Sequence, residues 1–285
     1  MEETSFFVTN NQYDKDGKKI KNKFVNPLGS EVTLYFNEPV HLGNSKKGYE
    51  IYVKRAGIVY CVSNVSSALK NNKLTYTYKD SVTNNDVTRT YTFDDGLYSL
   101  ENINFKLGLF TSQSENGGDG NLIYFKADNS SSRIYVTFNK IHVSIDASAT
   151  DSILLSLGFT ITQGSHGDGK IGDFDNKLQY DISDGIAQLN PIQSYIIATN
   201  ISTGNYLDCN VSNALEAVPI GKTEAFSLSE FDSNNVTKAD VNVRNIDRLI
   251  ISLLDNHGNL VDMNTSGGIR KPEAWWVEIT IAEKK

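Results

Sequence analysis

Lys73-Leu74-Thr75-Tyr76-Thr77-Tyr78-Lys79 and, one polar turn later, Val87-Thr88-Arg89-Thr90-Tyr91-Thr92-Phe93 decide the fold class of this 285-residue chain. Both stretches are rich in β-branched and aromatic residues and alternate along their length, as strands do when successive side chains point to opposite faces. Asp80–Asp86 between them is polar and contains Asn84-Asn85, so the pair reads as a hairpin.

The same signal recurs on both sides. Glu31–Phe36 alternates Val32, Leu34 and Phe36 with Thr33 and Tyr35. Tyr49–Lys54 alternates too, and Gly57–Val62 is a short apolar run read as a separate strand. Leu122–Lys126, Arg133–Asn139, Ile141–Ile145, Tyr195–Thr199, Leu249–Leu254 and Trp275–Ile281 continue the series. Two segments differ. Ser99 can cap a helix whose apolar positions Leu100, Ile103, Leu107 and Phe110 follow helical spacing. Ala149–Leu157 reads as a second short helix, with Thr150 or Asp151 as its cap and Gly158 as its stop. Many short strands without βαβ alternation point to an all-β protein, a sandwich or jelly roll with two short helices. Ser112–Asn121, Gly164–Lys177 and Asp232–Asp240 read as long exposed loops. No fixed-period repeat is visible.

Composition agrees: 13 Phe, 14 Tyr and 2 Trp stand against 5 Pro and 2 Met. The net charge of −7 argues against direct binding to a phosphate backbone. Lys15–Lys23 (Lys15, Lys18, Lys19, Lys21, Lys23) is the one basic run, read as a solvated mobile loop in preference to a genome-binding arm. The acidic opening Met1–Ser5 has neither the basic nor the apolar region of a secretory signal. No apolar run approaches the ~18 residues of a membrane helix. Cys61 and Cys209 lie far apart without metal spacing, which suggests a reducing compartment. The Asn-x-Ser/Thr sites at Asn64, Asn129, Asn200, Asn210, Asn235 and Asn264 are expected by chance in so Asn-, Ser- and Thr-rich a chain.

Catalytic templates fail at nameable positions. Gly221-Lys222-Thr223 resembles the end of a phosphate loop, but Glu216 stands where its first glycine must be, and the backbone cannot wrap phosphates there. His41, His142, His166 and His257 are scattered, with no metal-binding spacing. His142 reads as a strand-face residue and His257 as part of a tight turn at Asp255–Asn259. Asp168–Asp175 carries three carboxylates, but Lys170 breaks the alternation a calcium loop needs. No Gly-x-Ser-x-Gly elbow occurs, and a carboxylate pair for glycoside hydrolysis is not recognisable from spacing. No catalytic, cofactor or metal residues are therefore assigned. At Trp275-Trp276, adjacent strand positions send one ring into the core and leave the other for solvent or a partner.

Several segments together resemble the penton-type minor capsid proteins of virophages, Polintons and adintovirus-like DNA viruses. They are Glu38-Pro39-Val40 with Tyr49-Glu50-Ile51, then Tyr60–Val65, Thr92–Asn104 (TFDDGLYSLENIN) and Ser152–Phe159 (SILLSLGF). Asn245–Met263 (NIDRLIISLLDNHGNLVDM) completes the set. Their order carries the resemblance more than any one of them. It implies a jelly-roll base (residues 1–55 and 190–285) carrying an inserted upper β-domain (56–189). It further implies a non-enzymatic homopentamer at the icosahedral vertices of a virion assembled in the host cytoplasm. The implied partners are its own copies, the major capsid protein and a host receptor. Five copies would together carry about −35, so genome contact would need Lys15–Lys23. Two successive β-domains splitting near Gly164–Lys177 stay open as an arrangement. The competing function is a lectin-like or receptor-attachment module using Tyr76, Tyr78, Tyr124, Tyr135 and one of Trp275 or Trp276. A polysaccharide hydrolase is a third class, resting only on abundant Asp and Glu.

Overall fold

The computed structural model describes residues 3–14, 16–80, 82–113, 121–160, 170–172, 180–190, 192–203, 213–220, 227–232, 237–263 and 275–285. Lys15, His166, Asp168, Asp173, Asp175, Cys209 and Gly221–Thr223 lie outside them, as do the glycosylation-type sites at Asn210, Asn235 and Asn264. The chain divides into two compact units, one of Met1–Val62 with Ile192–Lys285 and one of Ser63–Pro191.

In chain order the first unit begins with β1 (Glu3–Thr9), β2 (Lys23–Val25), β3 (Glu31–His41) and β4 (Tyr49–Val59). The second unit contains β5 (Lys73–Lys79), β6 (Asp86–Thr92), α1 (Leu100–Thr111), β7 (Ile123–Asp128), β8 (Arg133–Phe138), β9 (Val143–Asp146), β10 (Lys170–Gly172) and β11 (Tyr180–Ile182). The first unit resumes with β12 (Ser194–Thr199), β13 (Ser202–Thr203), β14 (Ala214–Pro219), β15 (Leu228–Asp232), β16 (Ala239–Val241), β17 (Asn245–Leu254) and β18 (Trp275–Glu283).

The first unit is a jelly-roll-like sandwich of two antiparallel sheets. One runs β1-β18-β4-β16-β13, with β15 also paired to β4; the other runs β14-β12-β17-β3-β2. Inward residues alternate along each strand, as in β18, where Trp275, Val277, Ile279 and Ile281 are buried. The sheets meet where the Phe6 and Phe36 rings lie 5.5 Å apart and where Trp275 Nε1 donates to Gly29 O at 2.8 Å. Tyr49–Lys54 and Gly57–Val59, the latter the first half of the expected strand Gly57–Val62, form the single strand β4, and Tyr60–Val62 lie beyond its end. β4 pairs with β18 along its length, and a bulge at Glu278/Ile279 turns both Lys54 and Arg55 toward solvent. No turn residue interrupts Arg55-Ala56, so nothing ends the strand there.

The second unit has its own core: Leu74, Tyr76, Ile103, Leu107, Phe125, Val136, Ile145, Leu154 and Phe159 are all essentially inaccessible. Around it stand the sheets β10-β9-β5-β6 and β11-β8-β7, with α1 packed on β7. The β5–β6 hairpin forms in the expected place, with Thr75–Thr90 and Thr77–Thr88 hydroxyl pairs at 2.9 Å on its outer side. Its turn is closed by Asp80, whose carboxylate accepts the Thr83 amide and then the Val82 amide and is thereby held below the usual carboxylate range. The Ser99 cap is realised as a capping box with Asn102.

The second expected helix is absent. Ala149–Leu157 is a series of turns. Asp151 takes a left-handed φ of 59°, and the backbone on either side of Ser152 bonds to Lys73, in the Lys73 N–Asp151 O and Ile153 N–Lys73 O hydrogen bonds. Those bonds use groups a first helical turn would need, and nine residues are too few for helical propensity alone to prevail. Gly158 does stop the segment, at φ 84°. His142 sits at φ 57° in the β8–β9 turn and not on a strand face.

Candidate interaction surfaces

The two tryptophans part company as strand geometry requires. Trp275 is fully buried, while Trp276 lies on the outer face of the β1-β18-β4 sheet. There it stacks on Phe7, with centroids 5.6 Å apart and planes 20° from parallel. Gly57, directly across on β4, makes room for the indole: a Cβ at that position would sit 2.6 Å from Trp276 Cε2. Arg55 lies 6.0 Å over the ring and donates Nε to Glu278 Oε2 at 2.5 Å, while Lys54 Nζ approaches Glu278 Oε1 at 3.3 Å. These hydrogen bonds, Arg55's foremost, hold the Glu278 carboxyl below its usual range. Phe7 is 61% exposed. The result is a flat aromatic shelf bordered by a fixed ion cluster, with Leu228 of β15 also exposed nearby on the same sheet.

The second unit has a different feature. The outer side of α1 presents Phe105 and Leu109 beside Tyr124 of β7, and with Glu101, Asn104, Gly108 and Asn121 they line an open groove of about 330 Å³. Asn104 fixes its floor by donating to Phe125 O at 2.7 Å and accepting Phe125 N at 2.8 Å. A side chain at Gly108 would run into the Asn121 carboxamide.

Of the other aromatics expected at a surface, Tyr124 is exposed and Tyr135 is half-buried against the exposed Tyr180, edge to face at 5.3 Å. Tyr76 and Tyr78 are core residues, since their positions on β5 face inward. Three of the four histidines are described: His41 ends β3 beside Asn245, His142 is in a turn, and His257 belongs to the turn capped by Asp255. No group of three or more His, Cys, Asp or Glu that could hold a metal ion occurs among the described residues. Glu216 lies on β14 across from Ile197.

The described part of the basic run is a turn between β1 and β2. Lys19 bridges Tyr13, Asp14 Oδ1 caps the turn by accepting the Asp16 and Lys18 amides, and Lys23 Nζ donates to Thr9 Oγ1 at 3.2 Å. Lys18, Lys19 and Lys21 remain exposed. Sequence reading passed over Phe7 and Gly57, because strand β1 (ETSFFVT) has only three apolar residues and a lone strand glycine gives no partner away.

No family model matches the chain, and no curated protein matches it in sequence. Among solved structures it is similar to the mavirus penton protein, at 11% identity and a TM-score of 0.53, with 98% of each chain covered. It is also similar to a chain of the Sputnik virophage structure, at 12% identity and a TM-score of 0.43, over 100% of this chain and 98% of that one. No helix among the described residues is long and apolar enough to cross a membrane. Over 98% of its length the chain is similar in fold to the mavirus penton protein.

Proposed function

We propose that this protein is a non-enzymatic structural capsid subunit that assembles as a ring of five at the vertices of an icosahedral virion. The observation that carries the reading is the fold correspondence with a penton protein over 98% of both chains, too extensive for one shared motif. In this reading the sandwich of residues 1–62 and 192–285 is the base, which meets neighbouring copies and the major capsid protein. Residues 63–191 face outward. The decisive measurement is the mass of the purified full chain by light scattering, with negative-stain images. Rings near five times 31.6 kDa support the proposal; a monomer or trimer at high concentration overturns it.

The groove beside α1 favours a second, compatible role, attachment to a host receptor. Exposed Tyr124 and Phe105 offer stacking surfaces next to the polar Glu101 and Asn121. Binding of one defined sugar on a glycan array, lost in Tyr124→Ala, supports that role, and an array with no binding refutes it for glycans.

A further inference from the structure

Four buried side-chain atoms of the sandwich unit make no hydrogen bond to any protein group: the Tyr60 and Tyr195 hydroxyls, Ser229 Oγ and Glu216 Oε2. Tyr60 and Tyr195 are fully buried, and Ser229 is 5% exposed. Buried polar atoms in folded proteins are almost always paired, because leaving one unpaired forfeits its hydration without return. Four such atoms in one sandwich therefore call for a common partner.

Strand register puts all four on the inner faces of the two sheets. Ser229 of β15 stands across from Ile58 of β4, and Tyr60, two residues on, leaves β4 with its amide donating to Ser227 O at 2.8 Å. Both belong to the inner face that Ile58 shares with the buried Trp275. In the opposite sheet Tyr195 and Ile197 of β12 stand across from Val218 and Glu216 of β14, and the buried Leu253 of β17 flanks Ile197 on the same inner face. β14 packs against both β4 and β15, so the two sets face each other. Tyr60 is near enough to add to the upward shift of the Tyr195 hydroxyl, after burial itself and Cys61.

The chemistry of the set selects the ligand. Three of the four groups are hydroxyls, which both donate and accept. Glu216 contributes one oxygen, since its Oε1 already accepts the Ala217 amide at 3.2 Å. A single carboxylate oxygen among neutral hydroxyls is too little charge for a divalent cation, which takes several oxygen ligands with more than one carboxylate. Water donates and accepts at once, and a buried water ordinarily satisfies about three protein groups. We infer that this part of the sandwich encloses an ordered water site, in which water bridges the Tyr60 and Tyr195 hydroxyls from sheet to sheet and reaches Ser229 and Glu216. The site ties the two sheets together within one copy and does not depend on the ring reading above.

A high-resolution crystal structure of the full chain tests this directly. Water density is expected within about 3.2 Å of both phenol oxygens. Phenols without such density, or density that scatters anomalously as a metal ion, overturn the inference. Tyr60→Phe and Tyr195→Phe supply a second measurement, because each keeps the ring and removes only the hydroxyl. A hydroxyl bridged by water has a hydrogen bond to lose, so each variant melts below the wild type. A hydroxyl that meets nothing has none to lose, so an unchanged or raised melting temperature counts against the site. Since both phenols share the bridge, the double variant loses less than the two single losses added together, and additive losses refute the sharing.

Discussion

At single positions, the firmest consequences come from Gly57 and the buried tyrosines. In Gly57→Val the new side chain must displace the Trp276 indole or strain β4. A loss of about 1–3 kcal/mol is expected, as for overpacked sites, together with a red shift of tryptophan fluorescence as the shelf ring moves into water. Unchanged emission and unchanged melting would refute that account of Gly57. Burial pushes the Tyr60 hydroxyl up to about 12, with Cys61 adding to it; Tyr76 rises to about 12 by burial and then by Tyr78, against a smaller lowering by Arg89. Burial, then Cys61 and Tyr60, raise Tyr195 in the same sense. The folded state thus holds these protons more tightly than the unfolded chain. Their stabilisation is complete below the ordinary value of 10.0 and is lost as pH rises toward 12. An absorbance titration near 295 nm will show these three tyrosines ionising only together with unfolding. A single smooth reversible transition would contradict it. Tyr76 reads as a surface aromatic in the sequence and is a core residue in the fold, because Tyr is equally at home on either face of a strand and only sheet pairing selects the face.

Among the elements, α1 and β7 depend on one carboxamide. Asn104→Ala leaves both polar groups of the buried Phe125 backbone unpaired and is expected to cost about 2–4 kcal/mol. Ser99→Ala removes only a cap at the exposed helix start and costs about 1 kcal/mol. Chemical denaturation of the two variants checks the order; equal losses would mean that Asn104 is not the anchor. The helix was legible because its cap and its apolar spacing agree. Ala149–Leu157 misled because its cap and stop signals are genuine but belong to a run of turns, and the Lys73 pairing that decides the matter comes from more than seventy residues away. The short strands β2, β10, β11, β13 and β16, of two or three residues each, carry too few positions for alternation to register. Gly57 opens the second of the two stretches that β4 joins, and it serves as a recess for Trp276.

For the molecule as a whole, residues 63–191 bury a continuous core made only of their own side chains. Expressed alone, that segment is expected to melt cooperatively and keep its near-ultraviolet signal; a fragment without a melting transition would refute independent folding. The sandwich is different, because its sheets join the two ends of the chain. Glu3 pairs with Ala282, and β3 pairs with β17. That topology orders events on the ribosome. β1 and β4 emerge first with none of their partner strands yet made, and β3 with only the short β2, while residues 63–191 can fold behind them. The nascent sandwich half therefore waits, exposed to other nascent chains, until β17 and β18 arrive. Such long-range pairing is slow and prone to association. Folding yield in the cell is therefore expected to fall as the interval between synthesis of β1 and synthesis of β18 lengthens.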